Sequence, residues 1–261
     1  ILWVKADKLA VMSQNKTPKY TVVVPAFREE AVIETSLASL ARQLADDNLW
    51  ERTEVIVVTA DPESDKTAGI AKKHAKNFAF FTLLTPEAKV GKGRDVRLGM
   101  LAAQGEYVLF TDADLATPPA HIAKAFSRLE TGKASIVIGV RPLKQIHNTL
   151  SRRLRSIVSN GLIRILAVPG VSDTQCGFKA FTSKSAQELF EPLQTMRWGF
   201  DIEILARARS RGYKIVTMEI TDWYDPKIGV MGLAGESDVH ANFNTLKELF
   251  AISWKRLTRQ F

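Results

Sequence analysis

The feature that most restricts how this chain can fold is a regular alternation of apolar runs and helical stretches. "YTVVVPAF", "EVIVVTA", "FAFFTLL", "EYVLFTDAD" and "ASIVIGVR" are short, nearly continuous runs rich in β-branched and aromatic residues. Such runs suit strands buried on both faces, which show no apolar–polar alternation. Between them lie helical patterns: one through Ile33, Leu37 and Leu40, with Glu29 and Glu30 placed in its first turn, then "DKTAGIAKKHAK", "GRDVRLGMLAAQ" and "PAHIAKAFSRLE". Strand–helix alternation of this kind predicts an α/β fold: a mainly parallel central sheet with helices on both faces. Residues 1–19 are mixed, end in the polar "SQNKTPK" and read as an N-terminal lead-in. Residues 20–225 read as the main domain, and 226–261 as a loop followed by a C-terminal amphipathic helix. No internal repeat, low-complexity tract or clear interdomain linker interrupts the pattern.

In open parallel sheets ligands bind at the carboxyl ends of the strands, and there the sequence is unusual. In "LFTDADLATP", residues 109–118, the apolar run finishes on Asp112 and Asp114. Two carboxylates one residue apart, on the bend leaving a strand, can aim oxygens at one point. Hard oxygen ligands suit Mg²⁺ or Mn²⁺, and Mg²⁺ held by one or two carboxylates usually bridges to substrate phosphates. The competing reading is that Asp114 caps the next helix or makes a turn. Taken alone, D-x-D favours the cap or turn; its place at the end of a fourth buried strand reverses that in favour of the metal.

Composition narrows the classes. With 46% hydrophobic and 25% charged residues over 261 positions, the chain is an ordinary globular protein with a substantial core. The single cysteine, Cys176, excludes a disulfide framework and fits a reducing compartment. It reads as a packing residue. The net charge of +8 favours an anionic partner: nucleic acid, anionic lipid or a phosphorylated substrate. Nucleic acid is set aside, because no helix-turn-helix, zinc or aromatic RNA-binding pattern accompanies the basic residues. A Rossmann oxidoreductase is set aside too, since "PAFREE" occupies the turn where G-x-G-x-x-G belongs. No run reaches the ~18 to 20 apolar residues that span a bilayer, and no signal peptide is visible. The chain opens on Ile1 rather than Met, which reads as a longer protein that has lost its start.

Six stretches in fixed order carry a family resemblance: "VVVPAFREE", "EVIVV" followed by Asp61 and Asp65, "VGKGRDVRLGM", "FTDADLATP", "DTQCGFKAF" and "RWGFDIEIL". Together they resemble the family-2 glycosyltransferases of GT-A fold. Within these, the chain is similar to the polyprenyl-phosphate and dolichyl-phosphate glycosyltransferases, nearest the dolichyl-phosphate β-glucosyltransferase branch. The resemblance spans roughly residues 20–257; "DTQCGFKAF" with "RWGFDIEIL" is its most specific part.

The resemblance implies roles for particular residues. Pro25, Ala26, Phe27 and Glu29 shape the nucleotide pocket, and Asp61 contacts the base. Here the chain departs from the family, which usually reads D-D-G-S; "TADPESD" places Thr59 and Ala60 where acids are expected, so the choice of UDP or GDP stays open. Lys92, between Gly91 and Gly93, neutralises donor phosphate where small residues let the backbone approach. Asp112 and Asp114 hold the metal, and Arg141 binds the pyrophosphate. Arg152 and Arg155, in "SRRLR", reach toward phosphate, guanidinium groups being suited to bidentate grip; the alternative is a solvated helix face, a reading that also covers Arg153. Asp173 and Gln175 lie near the transferred hexose or the acceptor phosphate, and Lys179 helps hold phosphate. Trp198 and Asp201 face the acceptor side, although Asp201 reads equally well as an N-cap beside Glu203.

The implied activity is transfer of a hexose, glucose from UDP-glucose, to a polyprenyl or dolichyl phosphate, with a metal stabilising the leaving diphosphate. The acceptor oxygen is already anionic, so Asp173 would orient rather than deprotonate, and the branch inverts by direct displacement. Two alternatives stand: a polyprenyl-phosphate mannosyltransferase using GDP-mannose, and a non-catalytic, sugar-nucleotide-binding relic of the fold. A lipid acceptor calls for a membrane. In residues 240–261, Phe243, Leu246, Phe250, Leu257 and Phe261 lie near one helical stripe, with Trp254 close by and Lys247, Lys255, Arg256 and Arg259 on the polar side. That pattern suits an interfacial helix on an anionic leaflet, or equally a helix packed on a core. With the apolar, glycine-rich "YDPKIGVMGLAGESD" before it, it predicts peripheral binding to the cytoplasmic face of a membrane, endoplasmic reticulum in a eukaryote or inner membrane in a bacterium.

Overall fold

Among the residues described by the computed structural model (6–12, 17–59, 65–87, 90–141, 171 and 173–224), strands and helices follow one another much as the apolar runs foretell. They are β1 Ala6–Met12, β2 Tyr20–Pro25, α1 Ile33–Asp46, β3 Thr53–Val58, α2 Thr67–His74, β4 Phe80–Pro86, α3 Lys92–Ala102 and β5 Tyr107–Thr111. Then come α4 His121–Glu130, β6 Ile136–Val140, β7 Phe178–Thr182, α5 Ser183–Phe190, α6 Phe200–Ser210 and β8 Ile215–Glu219. The eight strands form one sheet in the order β1-β4-β3-β2-β5-β7-β6-β8.

Alternate strand residues point to opposite faces, and both faces are covered. Val22, Val24, Val55, Val57 and Leu109 pack in one core with Ile33, Leu37 and Leu40 of α1, Ala71 of α2, and Ile122, Phe126 and Leu129 of α4. Val23, Ile56, Val58, Val108 and Phe110 pack in the other with Val96 and Met100 of α3, Leu189 and Phe190 of α5, and Phe200 and Ile204 of α6. Each fully buried aliphatic or aromatic side chain contributes about 1.5–3 kcal/mol. Two-sided burial is therefore the physical reason that the runs are continuous.

The sheet is mixed: its central strands and the β6–β8 edge are parallel, and β1 and β7 run antiparallel to their neighbours. β2 pairs parallel with β3 and β5, β3 with β4, and β6 with β8. β7 runs antiparallel between β5 and β6, so "FKAFT" separates two strands that the alternation alone would make neighbours. β1, within the stretch read as a lead-in, adds an antiparallel edge against β4, pairing Ala6 with Pro86 through Met12 with Phe80. The first helix also begins later than its acidic residues suggest, at Ile33 rather than Glu29. Arg28 has a left-handed φ of 56°, Glu29 N–H donates to Thr67 Oγ1 at 3.0 Å and the Glu30 carboxylate accepts from Lys66 N–H at 3.1 Å. The Glu29 amide and the Glu30 carboxylate tie this turn to the start of α2 instead of opening α1.

At the amino ends of the strands, buried Glu54 accepts from Thr21 Oγ1, Thr82 Oγ1 and Gln104 N–H at 3.0–3.2 Å, fastening β2, β3 and β4 together. The opposite ends carry the charged residues singled out by the sequence.

Candidate active site

β5 ends at Thr111, so Asp112 and Asp114 lie on the turn beyond it. Two features hold that turn in shape: Leu115 adopts a left-handed φ of 49° with its N–H donating to Asp112 O at 3.1 Å, and Asp114 Oδ1 accepts from Ala116 N–H at 3.1 Å. Asp114 thus makes the turn predicted as the alternative to metal binding, and the two roles are compatible because a carboxylate has further acceptor positions. Tyr224, after β8, donates its hydroxyl to Asp114 O at 2.9 Å and its N–H to Ala116 O at 3.1 Å. Gly177 explains the glycine in "DTQCGFKAF": a Cβ there would sit 2.0 Å from Asp112 Oδ2. Any side chain at that position would evict the carboxylate.

Lys92 opens α3 and its ammonium is hydrogen-bonded to Asp112 Oδ1. The glycines flanking it are required by close approach. A Cβ on Gly91, whose φ is 151°, would lie 2.7 Å from Met196 O, and one on Gly93 would lie 2.7 Å from Thr195 O. The 195–198 segment therefore presses on the start of α3, with Arg94 N–H donating to Met196 O, and places the Trp198 ring 5.0 Å from Lys92 Nζ. Trp198 is 64% exposed. Burial works against the charge of Lys92, but the carboxylates of Asp112, Asp201 and Asp114 outweigh it and raise the pKa.

The segment carrying Trp198 is anchored from beneath. Glu203 of α6 accepts from Gln194 N–H at 3.1 Å and Thr195 N–H at 2.8 Å, and pairs with Arg207 at 2.7 Å. Burial opposes ionisation of Glu203, yet the bonds from Thr195 and Arg207 hold its pKa below the usual carboxylate range.

Arg141, just past β6, grips Asp173 through two parallel bonds, Nε to Oδ2 at 2.6 Å and Nη2 to Oδ1 at 2.9 Å. Burial disfavours the Asp173 charge, but Arg141 wins and its pKa is lowered. Trp223 lies against the guanidinium at 5.4 Å, while Gln175 is exposed with its N–H on Asp173 Oδ1 at 3.2 Å. The charge of Asp112 acts on Arg141 as well as on Lys92. Lys92, Asp112, Asp114, Arg141 and Asp173 are thus brought together at one end of the sheet.

Lys179 requires a correction. Its side chain has no exposed surface, and its ammonium donates to Cys176 O at 2.6 Å and Asp201 Oδ1 at 2.5 Å. A group so enclosed is not placed to hold an acceptor phosphate; it neutralises Asp201. Asp201 is likewise buried and not the N-cap of α6, a position taken by Gly199. Burial pushes its pKa up against the pull of Lys179 and Lys92. Cys176 is buried, its thiol pushed up to about 11 by burial, which makes it packing rather than a nucleophile.

At the end of β2, Pro25 and Ala26 are buried, Ala26 N–H donates to Val58 O at 2.8 Å, and Phe27 is half-buried under the Arg28 guanidinium at 5.3 Å. Thr59 is wholly buried, with its hydroxyl unpartnered. Asp61, Arg152, Arg155 and the segment 226–261 lie outside the described residues. Sequence reasoning missed Gly177, Tyr224 and the anchoring role of Glu203; only the glycine in "QCGF" offered a signal.

The donor set fits a hard divalent cation. Asp112 has a partly exposed carboxylate over a glycine cradle, and among the described residues no three His, Cys, Asp or Glu side chains group to enclose a metal. Two carboxylates suit Mg²⁺ or Mn²⁺ completed by substrate phosphate oxygens and water.

Residues 21–190 match the model of glycosyl transferase family 2. The chain is 32% identical to dolichyl-phosphate beta-glucosyltransferase ALG5D of Trichomonas vaginalis, over 82% of this chain and 68% of that protein. It is 30% identical to the human dolichyl-phosphate beta-glucosyltransferase, over 82% and 69%. Its fold resembles Mycobacterium tuberculosis glucosyl-3-phosphoglycerate synthase, solved with Mn²⁺, UDP-glucose and phosphoglyceric acid, at a TM-score of 0.66 and 18% identity over 92% of this chain and 79% of that one. It also resembles the mannosyltransferase PcManGT of Pyrobaculum calidifontis, solved with GDP-Man and Mn²⁺, at 0.63 and 19% over 95% and 66%. A GT-A sheet with its charged turn at the carboxyl ends, and a family match across most of that sheet, make this chain a glycosyltransferase belonging to glycosyl transferase family 2.

Proposed function

We propose that this glycosyltransferase moves a hexose, glucose from UDP-glucose, onto a polyprenyl or dolichyl phosphate, with inversion. The observation that carries the reading is the convergence of Asp112, Asp114, Lys92 and the Arg141–Asp173 pair at one end of the sheet. The dolichyl-phosphate beta-glucosyltransferases among the relatives, 30% to 34% identical, support the choice of acceptor and sugar.

Asp112 and Asp114 would hold Mg²⁺ or Mn²⁺, which when bound stabilises the charge that grows on the leaving diphosphate. Lys92 neutralises the donor diphosphate from the start of α3. Arg141, oriented by both oxygens of Asp173, presents its remaining donors toward phosphate. An oxygen of the lipid phosphate forms its bond to the anomeric carbon as the bond from that carbon to the diphosphate oxygen breaks, and the nucleoside diphosphate leaves. The nucleophile is already anionic, so Asp173 takes no proton; its lowered pKa suits a fixed counter-charge. Trp198 and Gln175, both exposed, flank the acceptor side. Pro25, Ala26, Phe27 and Glu29 line the nucleotide side, with Asp61 at the base and Arg152 and Arg155 toward phosphate.

The lipid acceptor implies peripheral binding at the cytoplasmic face of a membrane, through residues 226–261. No helix among the described residues is long and apolar enough to cross a membrane. Transfer assays with UDP-glucose, GDP-mannose and UDP-N-acetylglucosamine, Mn²⁺ and a short polyprenyl phosphate test the reading. Glucosyl transfer lost in Asp112→Asn is the expected result. Transfer from GDP-mannose alone would make the protein a mannosyltransferase, and no transfer from any donor would make it a sugar-nucleotide-binding relic. Sedimentation with anionic liposomes, with and without residues 243–261, tests the membrane contact.

A further inference from the structure

We propose that Lys92 gates the metal site, covering the Asp112 carboxylate with its own positive charge until a diphosphate arrives to receive that charge. This rests on reading Asp112 and Asp114 as the metal-holding carboxylates. The ammonium of Lys92 bonds directly to Asp112 Oδ1, one of the two carboxylate oxygens open to a cation. Asp114 and Asp201 add negative charge around it, and the Trp198 ring face covers it at 5.0 Å. The lysine side chain is 17% exposed and the aspartate 33%, so the pair is shielded from bulk water and its attraction is stronger than at an open surface.

The backbone around Lys92 is closely packed. Gly91 and Gly93 are pressed against residues 195–197, and Arg94 N–H is tied to Met196 O at 3.1 Å. Only the torsions of the four-carbon stem can take the ammonium away from Asp112. A divalent cation on Asp112 would meet the positive charge of Lys92 within a few ångströms, a repulsion that weakens cation binding by at least about tenfold at the effective dielectric of a protein. A donor diphosphate relieves it, because its oxygens accept both the ammonium and the cation. Cation and diphosphate then bind cooperatively, and by linkage each raises the affinity of the other by the same factor.

Mn²⁺ binding by the full chain, followed by calorimetry or electron paramagnetic resonance with and without UDP and, in parallel, GDP, tests the gate without any turnover. The wild type is expected to bind Mn²⁺ at least about tenfold more tightly when the nucleotide is present. Lys92→Met should bind Mn²⁺ alone at least about tenfold more tightly than the wild type and show correspondingly weaker coupling to nucleotide, whereas Lys92→Arg should keep weak binding of Mn²⁺ alone. Thermal melts check that each variant is folded. Should Lys92→Met not fold, absence of nucleotide coupling in the wild type alone overturns the proposal. A folded Lys92→Met with unchanged or weaker affinity for Mn²⁺ alone overturns the gate and leaves the metal reading standing. An Asp112→Asn protein that binds Mn²⁺ as tightly as the wild type in the presence of nucleotide overturns the metal reading itself.

Discussion

Two lysine–aspartate pairs lie side by side in this molecule and do different work. Lys179–Asp201 is sealed, with 0% and 5% of the two side chains exposed, and the lysine also satisfies Cys176 O. Lys92–Asp112 is set at the rim, with a third of the aspartate open. Both pairs join an element near the sheet to an element near the 195–201 segment, and Asp201 acts electrostatically on Lys92 as well as on Lys179. Ion-pair chemistry alone therefore does not identify a functional group. Exposure does: a sealed pair is bound to its partner for structural reasons, whereas a rim pair can exchange that partner for a ligand.

The largest effect is expected for Lys179→Met. It leaves Asp201 buried and uncompensated, and should destabilise the protein by about 3–5 kcal/mol in urea titrations. Lys179→Met combined with Asp201→Leu should recover most of that loss. Asp112→Asn is the mirror test: kcat should fall about 10²-fold or more, the scale of removing one preorganised charge-stabilising group, while the melting temperature barely changes. Equal effects of the two single substitutions on stability would erase the distinction between the pairs.

Gly177→Ala probes the join between packing and chemistry. Its Cβ would fall 2.0 Å from Asp112 Oδ2, so a stability cost of about 1–3 kcal/mol from overpacking is expected, with loss of Mn²⁺ binding in the same protein. The smallest effect concerns a third pair, Arg94–Asp95, which is buried but joined by a single bond at 2.8 Å. Burial outweighs Arg94 and pushes the Asp95 carboxyl up to about 6 from 3.8. A raised carboxyl pKa means that the folded protein takes up its proton before the unfolded chain does. This group's contribution to stability is therefore present below pH 4 and is lost as pH rises from about 4 to about 6. Urea midpoints at pH 4.5 and 6.5 should separate less in Asp95→Asn than in the wild type.

Much of the architecture is legible in the chain. The runs at 20–25, 53–58, 80–86, 107–111 and 136–140 are strands, and their unbroken apolar character follows from helices on both faces. Residues of the site were legible where their chemistry conflicts with their surroundings, as with two acids ending an apolar run or glycines on either side of Lys92. Less legible was anything decided by a distant partner. The antiparallel strand β7 carries no pattern that says it separates β5 from β6. Lys179 in "GFKAF" gives no sign that its ammonium is enclosed, since a lysine is ordinarily exposed and only the carboxylate of Asp201, from a helix about twenty residues on, makes burial tolerable.

By itself, then, the sequence determined the α/β layering, the carboxyl-end location of Asp112 and Asp114, and the glycines that let backbones meet, because periodicity and local sterics act over a few residues. The tertiary structure decided which cation faces which carboxylate. Arg141 meets Asp173, Lys179 meets Asp201 and Lys92 meets Asp112 across separations of 20 to 32 residues. Charge pairing depends on distance and burial in three dimensions, and neither quantity is written in the order of residues along the chain.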